Sequence, residues 1–136
     1  MPAADAVLLD THALLWWQAE SERLSLGALA AIGAASRVLV SPITCWEVSM
    51  LVAKGRVALD RPVAQWVADL LAGPQVDATG LSPAMAVAAG QLDGFPGDPA
   101  DRLIYATAAT LGVPLVTKDD RLREFAAAQG DVEIVW

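Results

Sequence analysis

Hydrophobic positions along the chain alternate between short unbroken runs and longer stretches with helical spacing. Ala6-Val7-Leu8-Leu9, Arg37-Val38-Leu39-Val40 and Leu115-Val116 lack a 3.6-residue period and read as strands buried on both faces. Residues 76–81 form a weaker strand candidate, and residues 132–136 a final edge strand. The intervening stretches turn helical. From Thr11 onward, Leu14, Leu15 and Trp17 can face inward before the polar loop 18–23. Ser25 caps a helix over 26–35, whose apolar face is expected at Leu26, Leu29, Ala30 and Gly33. Ser41-Pro42 opens the next, with Ile43, Met50 and Leu51 on its stripe and Lys54-Gly55-Arg56 at its close. Val63, Trp66, Val67, Leu70 and Leu71 mark the cleanest amphipathic helix, ending at Gly73. Ser82-Pro83 starts a helix to about residue 92. Asp98-Pro99 starts one that is expected to bury Ile104, Ala108 and Leu111 before Gly112. A last helix carries Leu122 and Phe125. Short apolar strands alternating with helices predict an α/β fold, a mostly parallel central sheet with helices on both faces in three layers.

The chain has 136 residues, enough for one domain with a real core, and residues 1–136 read as a single domain. A hydrophobic content of 55% excludes intrinsic disorder. With five tryptophans, it also suggests that another chain, a second copy or a partner protein, covers part of the surface. The net charge of -7 argues against holding nucleic acid by charge alone, so chemistry on nucleic acid would need a metal or a local basic patch. One cysteine, Cys45, allows no internal disulfide. The opening residues lack the pattern of a leader, and no apolar run spans a membrane, so a soluble cytoplasmic protein is expected.

The acids change the picture. Glu47 falls on the apolar stripe of its helix, where an uncompensated charge is expensive. Asp10 ends the first strand, Asp119 and Asp120 follow the strand at Leu115-Val116, and Asp98 and Asp101 sit in the first turn of their helix. In a parallel sheet these segments meet at the crevice beyond the carboxyl ends of the strands. Two like charges about 4 Å apart repel by roughly 4 kcal/mol at an effective dielectric near 20, so such a cluster requires protons, arginines or a cation. Oxygen donors without a Cys pair and with one His favour Mg²⁺ or Mn²⁺, and carboxylate-held Mg²⁺ suits phosphoryl chemistry.

Each acid also has a structural role open to it. Asp10, Asp98 and Asp119 can cap helices, and Glu47 can pair with Lys54 or Arg56. His12 has no ligand-spaced partner and reads as structural, and Trp16, Trp17, Trp46 and Trp66 read as core or interface residues. Arg102, Lys118, Arg121 and Arg123 form a solvated face that, beside an acidic rim, would steer phosphate groups.

Leu8-Leu9-Asp10-Thr11-His12-Ala13-Leu14-Leu15-Trp16, Ser41-Pro42-Ile43-Thr44-Cys45-Trp46-Glu47-Val48, Asp98-Pro99-Ala100-Asp101-Arg102-Leu103-Ile104 and Leu115-Val116-Thr117-Lys118-Asp119 resemble the four acidic motifs of PIN-domain ribonucleases, in order and across nearly the whole chain. The likeness is to VapC-type toxins of toxin-antitoxin pairs. It implies a PIN-like fold, a Mg²⁺-dependent endoribonuclease, a homodimer, and a small antitoxin whose C-terminal segment blocks the pocket. Carried over by motif, Asp10, Glu47, Asp101 and Asp119 are the metal-site acids, with Asp120 an alternative to Asp119. Thr11 and Thr117 are supporting hydroxyls, and Asp98 is a supporting cap. Arg102, Lys118 and Arg121 are candidate RNA contacts. Many relatives carry a His-Arg pair just before Asp98, where this chain has Phe95-Pro96-Gly97. Two rival readings are an aspartyl-phosphate Mg²⁺ protein and a non-catalytic domain whose acidic pocket receives a partner's arginine. The first lacks a second Asp at the phosphatase spacing after Asp10.

Overall fold

A computed structural model describes residues 5–136; the opening residues read above for a leader lie largely outside the described part. Five strands form one sheet in the order β3-β2-β1-β4-β5, and every pairing is parallel. They are β1 (Ala6–Leu9), β2 (Arg37–Val40), β3 (Val76–Ala78), β4 (Leu115–Val116) and β5 (Ile134–Val135). The two weaker strand candidates are present but shorter than their apolar runs.

Strand alternation divides the core into two halves. Val7, Leu9, Val38, Val40, Val76 and Val116 face one side. There they pack against Ala13 and Leu14 of α1 (Thr11–Gln18), Ala28 and Ile32 of α2 (Leu26–Ala34), Val48 of α3 (Pro42–Ala53), and Trp66 and Leu70 of α4 (Val63–Leu71). Leu8, Leu39 and Leu115 face the other side. After α5 (Pro83–Gly90), α6 (Pro99–Leu111) brings Ile104, Tyr105 and Ala108 to that side, and α7 (Asp120–Gln129) brings Leu122 and Ala126. The result is the expected three-layer sandwich, with strands apolar on both faces because helices cover both.

Two helical faces differ from expectation. On α2, Ala28 and Ile32 point inward, while Leu26 is 85% exposed and Leu29 49%. This helix is apolar on all sides, so periodicity does not select a face. What selects it is the close approach of the chain end, since a side chain at Gly27 would lie 3.0 Å from the Trp136 carbonyl oxygen. On α6, Leu111 in the last turn is exposed, while Tyr105, Ala106 and Thr107 are buried in addition to Ile104 and Ala108. Gly112 then ends the helix at φ 66°, a left-handed conformation that suits glycine.

The topology fixes where a site can form. From β1 the chain moves outward through β2 to β3, whereas β4 and β5 lie on β1's other side. The crevice beyond the carboxyl ends of β1 and β4 is therefore the switch point of the sheet, the usual ligand position in parallel α/β folds.

Candidate active site

Asp10 and Asp119 enter that crevice directly from the two strands. The Asp10 amide donates to the Val116 carbonyl at 3.1 Å, which holds the end of β1 beside the end of β4. The Asp10 carboxylate accepts from the Ala13 amide at 2.8 Å and so caps α1. Asp119 caps α7 in the same way, accepting from the Arg121 amide at 2.9 Å, and its own amide donates to the Thr117 hydroxyl at 3.2 Å.

The other two acids arrive on helices. Glu47 is buried on α3, and the buried Thr11 hydroxyl donates to its Oε1 in a short hydrogen bond. The Thr44 hydroxyl lies 3.4 Å from that of Thr11, so a small buried network ties α3 to α1 and orients Glu47. Asp98 and Asp101 form a capping box at the start of α6. Asp98 Oδ1 accepts from the Asp101 amide at 2.9 Å, and Asp101 Oδ2 accepts from the Asp98 amide at 3.4 Å. Asp98 is exposed and Asp101 half-buried, and both line the crevice.

These residues line one cavity of about 430 Å³ that includes Asp10, Glu47, Asp98, Asp101, Asp119 and Lys118. Thr11, Thr117 and Arg121 also line it; Asp120 and Arg102 do not. Asp120 is exposed on the first turn of α7. The Arg102 guanidinium, a candidate RNA contact by sequence, donates to the carbonyls of Leu92 at 2.9 Å and Ala89 at 3.2 Å, and lies over the Phe95 ring. Its charge is engaged in joining α6 to the end of α5, away from the crevice.

Electrostatics separate the acids. Burial raises the Asp10 carboxyl above its ordinary range, and the Thr117 hydroxyl and Ala13 amide only partly offset this. Burial first, then the neighbouring Asp98, with smaller contributions from Glu47 and Asp10, pushes Asp101 up to about 7. Asp119 moves the opposite way. Arg121 Nη2 and Nε reach it at 2.9 and 3.2 Å and hold its carboxyl below the ordinary range. Among the described residues, no Lys, Arg or His side chain forms an ion pair with Asp10, Glu47 or Asp101.

Among the described residues no three acids stand close enough to hold an ion with their side chains as they lie. The donor set nonetheless suits a hard cation. It consists of carboxylate and hydroxyl oxygens, the buried acids have no cationic partner among the described residues, and burial with the neighbouring acids raises Asp101, a charge imbalance that a cation would relieve.

Three lining or supporting residues escaped the sequence reading. His12 and Trp16, read there as structural, both line the cavity. Gly97 sits against Asp101: an added Cβ would lie 2.6 Å from the Asp101 Cβ and 2.6 Å from the Phe95 ring. Phe95 itself is buried edge-on to Tyr105 and Phe125. The segment that departs from the relatives' His-Arg pair thus anchors the turn before α6. A glycine followed by a capping box was the available signal; its closeness to Asp101 was not readable.

The parallel sheet, the switch-point crevice and four acids from four segments define a class of α/β domain, and comparison identifies it. A family model described as PIN domain matches residues 7–128, and the chain belongs to that family. Within it, the chain is 47% identical over 118 residues to ribonuclease VapC22 of Mycobacterium tuberculosis, covering 86% of this chain and 89% of that one. The fold is similar to VapBC2 from Rickettsia felis, solved bound to a promoter DNA fragment, with a TM-score of 0.68, 14% identity, and 95% and 96% of the two chains covered. It is also similar to M. tuberculosis VapC20, described as a sarcin-ricin loop cleaving toxin, with a TM-score of 0.65, 18% identity, and 93% and 97% coverage. No helix among the described residues is long and apolar enough to cross a membrane.

Proposed function

We propose that the chain is a divalent-metal-dependent endoribonuclease, using Mg²⁺ with Mn²⁺ as a substitute, and the toxin of a cytoplasmic toxin-antitoxin pair. The observation that carries this reading is the gathering of Asp10, Glu47 and Asp101 around one cavity at the switch point of the sheet, with no cationic side chain among the described residues paired to any of them. The likeness to ribonuclease VapC22 supports the substrate class.

Asp10 and Asp101 would hold the ion from β1 and α6. Glu47, oriented by Thr11, would complete the set and accept a proton from the attacking water. Asp119 closes the acidic ring from the β4 side with its charge shared by Arg121. When bound, the cation neutralises the scissile phosphate and lowers the pKa of water. Lys118 and Arg121 supply positive charge at the rim of an otherwise anionic protein, where they position RNA phosphates without reading sequence.

The partners follow from the same reading. A small antitoxin would cover the pocket with its C-terminal segment, and a second copy would cover apolar surface such as the exposed Trp46. The test is RNA cleavage in Mg²⁺ by the intact protein and by Asp10→Asn and Asp101→Asn, with Mn²⁺ binding followed by calorimetry. Loss of cleavage and of Mn²⁺ binding in folded variants is expected. Undiminished cleavage would sink the assignment, and tight partner binding without metal affinity would mark a non-catalytic interaction domain.

A further inference from the structure

Trp16 and Trp17 are adjacent on α1 and have different surroundings. Trp17 packs against the core and borders a separate hollow with Leu24 and Leu29. Trp16 lines the acidic cavity. His12, one turn earlier on the same face of α1, is exposed, and its ring centroid lies 5.8 Å from that of Trp16 at an interplanar angle of 53°. Lys118 Nζ lies 5.8 Å from the Trp16 ring centroid, and Trp136 meets the same ring edge-on at 5.8 Å. His12, Trp16 and Lys118 all border the cavity that holds Asp10.

Packing alone accounts for part of this arrangement. Trp16 is half-buried against the core, and Trp136 supports its edge. Helical i,i+4 spacing sets the exposed His12 beside Trp16, and Lys118 reaches the same indole from beyond β4, so an imidazole, an indole and an ammonium stand together at the mouth of a polar pocket. Those groups match what a nucleotide presents: a flat base for the rings and a phosphate for the ammonium. The spacing fits too, since Trp16 lies six residues beyond Asp10, about 9 Å along the helix axis. A base stacked there belongs to a nucleotide near the phosphate at Asp10.

We infer that His12, Trp16 and Lys118 form a ledge on which an unpaired base of the RNA stacks beside the acidic site, with Trp16 as its platform. The inference rests on the ribonuclease reading and adds to it the residue that engages a base, an unstacked one, since only such a base can lie on the indole. Trp16 is a positioning residue for substrate and takes no part in the bond changes.

The test compares binding of oligoadenylate with binding of an abasic ribose-phosphate oligomer of the same length to the Asp101→Asn protein, in which cleavage is expected to be lost. The parent should prefer the base-containing oligomer, and Trp16→Leu should reduce that preference by at least about fivefold, the lower end of what one stacked base contributes. Trp16→Phe should retain most of it. Trp17→Leu should lower thermal stability and leave the preference unchanged. An equal loss on both oligomers in Trp16→Leu, no change in it, or no binding of either by the parent would overturn the ledge. RNA cleavage by the intact protein is scored alongside: cleavage without a Trp16-dependent base preference sinks the ledge alone, while absence of both sinks the ribonuclease reading with it.

Discussion

Asp10 follows β1 and Asp119 follows β4, two strands that pair at the middle of the sheet, and each caps the helix that comes next. Their carboxylates shift in opposite directions. Asp10 is raised by burial, and no cationic side chain among the described residues pairs with it; Asp119 is lowered by the Arg121 guanidinium at 2.9 Å. The same strand-Asp-helix pattern thus produces one acid whose charge burial disfavours and one whose charge Arg121 already balances. An external cation gains most from the side of the crevice where Asp10, Glu47 and Asp101 gather, and less from the Asp119 side.

Substitutions should separate the two sides. Asp10→Asn should abolish detectable RNA cleavage, whereas Asp119→Asn should lower it by about tenfold, in the range seen when groups supporting a metal site are removed. Equal losses in an end-labelled RNA assay would erase the distinction. Gly97→Ala comes next. Its methyl must displace either Asp101 or Phe95, and a shift of about 1 Å in a reacting geometry costs on the order of 100-fold, so a loss of that order in cleavage rate is expected. Full activity in Gly97→Ala would show that Asp101 tolerates the movement.

The pH dependence of stability should also split. Asp101 rises from 3.8 to about 7 on folding, so its ionisation opposes the folded state. Its contribution is complete below about pH 4 and is lost as pH rises toward about 7, with Asp10 acting in the same direction. Thermal unfolding of metal-free protein should therefore show declining stability over that interval, and Asp101→Asn should flatten the decline. Asp119 contributes with the opposite sign: its stabilisation is present above its ordinary pKa and lost as pH falls through the lowered one. The smallest effect belongs to Arg121→Gln. This ion pair is largely exposed on the Arg121 side, and its removal should shift the denaturant midpoint little, mainly at neutral pH.

Much of this was legible before the fold was known. The unbroken apolar runs marked β1, β2 and β4, and Ser or Asp before Pro marked the starts of α3, α5 and α6. Glu47 was recognisable as an acid on a buried stripe because its placement conflicts with the cost of burying charge. Other features were illegible for physical reasons. Apolar residues surround α2, so only tertiary packing could turn Ala28 and Ile32 inward and leave Leu26 outside. Arg102 lies within one of the acidic motifs, yet its guanidinium donates to the Ala89 and Leu92 carbonyls at the end of α5, and a linear sequence does not show which acceptor a long side chain reaches. Trp16 and Trp17 are the same residue type at neighbouring positions, both half-buried against the core; only the rotation of α1 decides which of them also lines the acidic cavity.

The most direct measurement is calorimetric Mn²⁺ titration of the intact protein, Asp101→Asn and Asp119→Asn near pH 6, repeated in buffers of different ionisation enthalpy to count protons. The intact protein should bind Mn²⁺ and release protons on doing so, because the cation displaces the proton that Asp101 holds with its pKa at about 7. Asp101→Asn should lose that binding and release, while Asp119→Asn should keep both with weakened affinity. Binding without proton release, or binding that survives Asp101→Asn and disappears in Asp119→Asn, would contradict the account.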